Sequence, residues 1–86
     1  MIEDLVEAIR NRPDWTWTTD GTVATYRVHD WSATVRRPAI PTRPSHRWTV
    51  SVIGPHGAAV YSTWASTVLE AVRVAERQAR AHAGAG

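Results

Sequence analysis

The side chains of this 86-residue chain with chemistry to offer are four histidines, eight carboxylates and ten arginines with no lysine among them. His29, His46, His56 and His82 are too far apart to pair on one helical or strand face, and no His-Glu-x-x-His occurs. No cysteine is present, which excludes disulfides, thiolate catalysis and Cys-based zinc sites. Serine, histidine and aspartate all occur, but no Gly-x-Ser-x-Gly elbow presents a nucleophile. Gly54-Pro55-His56-Gly57 is too short to cradle a phosphate and is not followed by Lys-Ser/Thr, so it reads as a hairpin turn. The expectation is a protein that is not an enzyme, with no catalytic, cofactor-binding or metal-ligating residues, no cofactor and no small-molecule substrate.

What remains is arginine interleaved with aromatics: Tyr26-Arg27, Trp31, Arg36-Arg37, Arg43 and Arg47-Trp48. A guanidinium is a planar, permanently charged fork suited to phosphate, carboxylate or an aromatic face. Phosphate contacts supply affinity for nucleic acid, and flat rings accept bases. Arg36, Arg37, Arg43 and Arg47 are the candidate nucleic-acid or partner-binding residues. They lie in a segment, 31–69, with no acid, whereas residues 1–30 set six acids against three arginines. The net charge of +2 is small, and such sign asymmetry marks an interaction surface or two patches that complement each other.

These arginines need elements to position them. Ile2, Leu5, Val6 and Ile9 share one face of a short helix, which Asn11 and Pro13 stop. The period then becomes two. Trp15-Thr16-Trp17-Thr18 and Ala24 to Val28 flank an Asp20-Gly21 turn, and His29-Asp30 makes a second turn before Trp31 to Arg36. Residues 37–45, with three prolines, form an extended loop. Alternation resumes over Arg47 to Val52, and Ala58 to Ser62 follows the Gly54–Gly57 turn. In this phase Trp15, Trp17, Trp31 and Trp48 meet the helices, while Arg36 and Arg47 project oppositely with Thr34, Thr49 and Ser51. Trp64 is undetermined. A closing helix begins at a Thr67/Glu70 capping box, with Thr63 or Ser66 as alternative caps. It buries Val68, Leu69, Val72, Ala75 and Ala79 and wets Glu70, Arg73, Glu76, Arg77 and Arg80, with ion pairs 70–73 and 76–80.

The fold expected is therefore α+β: a meander of four or five antiparallel strands, with a short N-terminal and a longer C-terminal helix on one face. Residues 1–82 make a single domain, and 83–86 a flexible tail. Met1-Ile2-Glu3-Asp4 is acidic where a signal peptide is basic, and no apolar run approaches a membrane span, so a cytoplasmic protein is expected. The absence of lysine and phenylalanine beside abundant alanine associates with G+C-rich coding DNA, as in actinobacteria and their phages.

Residues 47–79 resemble the sheet-plus-helix half of AP2-type and phage-integrase arm-binding domains. The likeness rests on Arg47-Trp48-Thr49-Val50-Ser51-Val52, Val60 to Trp64, and Thr67-x-x-Glu70-Ala71-x-x-x-Ala75. Trp31 to Arg37 matches the family's arginine-rich first strand loosely. The resemblance implies a three-stranded sheet that enters the DNA major groove, backed by one helix. The order helix, sheet, helix is also similar to double-stranded-RNA-binding domains, without their basic cluster at the start of the last helix. Two uses are expected. The first is a non-enzymatic interaction module that binds a protein partner or itself as a homodimer. The second is duplex nucleic-acid binding through the outer sheet face and the Arg/Pro loop. Neither involves a membrane.

Overall fold

The computed structural model describes residues 4–38 and 46–85. Ile2, Glu3, Arg43 and most of the proline loop lie outside them. The elements are α1 (Leu5–Ile9), β1 (Trp15–Trp17), β2 (Val23–Val28), β3 (Trp31–Arg36), β4 (Trp48–Ile53), β5 (Ala59–Ala65) and α2 (Val68–Ala85). The five strands form one antiparallel sheet in the order β1-β2-β3-β4-β5, an uninterrupted meander. Both helices lie on one face of it, as the α+β pattern predicts, with α2 mainly over β3 and β4 and α1 against α2 and β2.

Each element starts and stops for a local reason. Asp4 caps α1, its carboxylate accepting from the amides of Val6 and Glu7. In the β1–β2 turn, Gly21 takes a positive φ of 72° beside Asp20, whose carboxylate accepts from the Thr18 hydroxyl and from the amide and hydroxyl of Thr22. Val28 pairs with Trp31, so His29-Asp30 is a two-residue hairpin loop in which His29 is left-handed, at φ 54°. Gly57 closes the β4–β5 turn at φ 84°, its amide donating to Gly54 O. Thr67 caps α2 through the Glu70 amide at 3.2 Å, as the capping box predicts.

Burial of one sheet face drives the fold. Trp15, Ala24, Tyr26, Ala33, Val35, Trp48, Val50, Val52 and Ala65 pack under Leu5, Ile9, Val68, Ala71, Val72, Ala75 and Ala79. Alternation sends every second residue inward, and the alanines on α2 bring its backbone close to the strands.

Three expectations need correction. Leu69 is exposed and Ala71 takes its place, because the buried stripe runs through 68, 71/72, 75 and 79 and Leu69 falls at its margin. Glu76, expected in solvent, is buried between α2, β1 and the α1–β1 link. Trp17, expected to meet the helices, is exposed, because β1 is the edge strand and α2 lies mainly over β3 and β4; α2 continues through residues 83–85. His82 there is half-buried, its ring against Trp31 at 5.4 Å and Tyr61 at 6.4 Å.

Candidate binding surface on the outer sheet face

The helices cover one side of the sheet and leave the other open, so the side chains of opposite parity make its outer face. Register aligns them in rows. Thr16, Thr25, Thr34, Ser51 and Ser62 are successive cross-strand partners, a line of five hydroxyls across all five strands. With strands about 4.8 Å apart, the line is about 19 Å long. A second row runs Val23, Arg36, Thr49 and Trp64, and a third runs Arg27, Ser32, Ile53 and Ala59. The two arginines therefore lie on either side of the hydroxyl line.

None of these residues is acidic. The nearby carboxylates of Asp14, Asp20 and Asp30 sit in the turns. Asp20 is held below its ordinary value by the Thr18 hydroxyl first, then by the Thr22 amide and hydroxyl. A hydroxyl both donates and accepts, and a guanidinium only donates, so the array offers donors throughout. Thr34, Arg36, Thr49, Ser51, Ile53 and Ala59 line a shallow depression of about 260 Å³ in this face. At its margin the exposed Trp64 indole stacks on His46, centroids 4.7 Å apart and 23° between planes.

The four candidate arginines do not form one cluster. Arg36 is exposed on the outer face, where Thr49 Oγ1 donates to its carbonyl at 3.2 Å. Arg37, one residue on, has opposite parity and lies over the Trp48 ring at 5.7 Å, on the helix side. Arg47 is exposed immediately before β4, and Arg43 lies outside the described residues. The expected site set omits Arg27, although the parity of Ala24 and Tyr26 already sends it outward. It also omits Trp64, whose direction depends on the β4–β5 register.

Away from this surface, the polar chemistry is structural. Glu76 receives Arg12 Nη1 at 2.9 Å and the Trp15 indole N–H at 2.8 Å, with Arg80 at 3.7 Å. Arg80 Nε donates to the Tyr26 hydroxyl at 3.0 Å, and that bond holds its guanidinium above the ordinary value. Every buried side-chain nitrogen and oxygen among the described residues has a partner. Among the same residues no three histidine or carboxylate groups converge as metal ligands, and no helix is long and apolar enough to cross a membrane.

Fold and surface together define a class: a two-layer α+β domain with two helices on one sheet face and an acid-free polar array on the other. No protein-family model matches the chain, and no curated protein and no solved structure matches it significantly.

Proposed function

We propose that this chain is a non-enzymatic interaction module that binds duplex nucleic acid through the outer sheet face. The observation that carries the reading is the acid-free array in which Arg27 and Arg36 bracket an in-register line of five hydroxyls. The guanidinia are placed for phosphates, and the hydroxyls for phosphate oxygens and base edges. Strands β3, β4 and β5 span about 10 Å, and the major groove is about 12 Å wide. These strands, followed by α2, also follow the order that the resemblance to arm-binding domains implies. Arg47 adds charge at the start of β4, and Arg43 belongs to the same acid-free segment.

A mobility-shift titration of duplex DNA and duplex RNA at about 50 mM salt tests the reading, because low salt favours phosphate contacts. Wild-type protein shifts a duplex, and Arg27→Ala/Arg36→Ala weakens the shift at least tenfold while its circular dichroism stays unchanged. No shift with either duplex, from folded protein, overturns the proposal. The face is then left to a protein partner, the second reading, for which the half-exposed Trp64 is the observation.

A further inference from the structure

We propose that β5 pairs antiparallel with β5 of a second copy about a two-fold axis at Ser62, joining two five-stranded sheets into one of ten strands. The two sheet edges differ. β1 has only three residues, and shortness is a usual protection against edge pairing. β5 has seven, Ala59–Ala65, with no charge and no proline among them. Its other common protection, cover by a helix, is also absent among the described residues, because α2 is centred over β3 and β4. Protection is confined to one end, where the ladder with β4 shifts register between Val52 and Ile53.

The sequence of β5 points to its own copy as the occupant. An antiparallel edge is self-complementary under a two-fold axis, and an uncharged strand meets itself without like-charge repulsion. Ser62 is the middle residue of the seven, and an axis there pairs Tyr61 with Thr63 of the other copy, both on the helix side of the sheet. Residues paired across the axis share a face, so the hydroxyl line of one sheet runs into that of the other through Ser62. The pairing stands on the edge alone and needs no nucleic acid.

The chain lacks cysteine, so an introduced thiol is unique. Ser62 and Thr16 are both exposed on the outer face, at opposite ends of the same row. Light scattering is expected to give twice the chain mass of 9.5 kDa. Ser62→Cys cross-links to a covalent dimer on oxidation or with a short bifunctional thiol reagent, and Thr16→Cys does not. Ser62→Lys, which sets two cations against each other at the axis, gives a monomer with unchanged circular dichroism. A monomer at every concentration from micromolar to millimolar overturns the proposal. So does a dimer that Ser62→Lys leaves intact, or one that cross-links through Thr16→Cys instead. Arg27→Ala/Arg36→Ala, with its changes on β2 and β3 away from the edge, is expected to keep the dimer whether or not it weakens duplex binding, so failure of one reading is told apart from failure of the other.

Discussion

Glu76 shows how much one side chain can hold. Its carboxylate joins α2 to the α1–β1 link through Arg12 and to β1 through the Trp15 indole. Breaking a buried pair from one side leaves the other partners stranded. Arg12, about one-third exposed, can rehydrate, but the Trp15 N–H cannot. Glu76→Ala is therefore expected to cost about 2–3 kcal/mol, between a lost buried hydrogen bond and a lost buried ion pair. Urea denaturation checks it, with Glu70→Ala on the exposed side of α2 as the comparison. Asp20 acts through pH instead. Its folded value lies below the ordinary 3.8, so its contribution is fully present above that pH and is lost as pH falls through the folded value. Asp20→Ala is expected to melt below wild type at about pH 7, with the gap narrowed at about pH 2.

Among the elements, the turns and caps set where each strand and helix begins. Thr67→Ala removes the acceptor for the Glu70 amide and is expected to destabilise by about 1 kcal/mol. Thr67→Ser keeps the cap. Gly57 sits at φ 84° with open space around its Cβ position. Gly57→Ala is therefore expected to cost about 1–2 kcal/mol through backbone conformation alone, with no clash against other residues. Chemical denaturation of each variant checks both. Gly54 differs: a Cβ there would lie 3.3 Å from the Trp31 ring, so its smallness matters for packing rather than for φ.

For the whole molecule the deciding quantity is how charge is distributed over the two faces. Among the described residues, acids are confined to turns, helix surfaces and the ion-paired Glu76, and the outer sheet face carries only cations and neutral groups. The proposed duplex binding then follows counterion release: each phosphate neutralised contributes about 0.9 to the slope of log affinity against log salt. Arg27→Ala/Arg36→Ala is expected to make that slope shallower by about 2, measured by fluorescence anisotropy of a labelled duplex across a salt series. An unchanged slope places the phosphate contacts elsewhere on the surface.

The sequence by itself determined the class of fold, the order of elements and which face of each strand is apolar. These depend on period, on turn residues such as Asp20-Gly21 and on the Thr67/Glu70 cap, all of them local. It also showed an acid-free middle segment rich in arginine. Only the tertiary structure decided which arginines act together, because parity separates neighbours while register joins residues far apart in the chain. Arg36 and Arg37 are adjacent in sequence and point to opposite faces. Arg27 and Arg36 come from different strands and lie on one. The burial of Glu76 was likewise illegible from helical spacing, because its partners Arg12 and Trp15 reach it only after the sheet and α2 have packed.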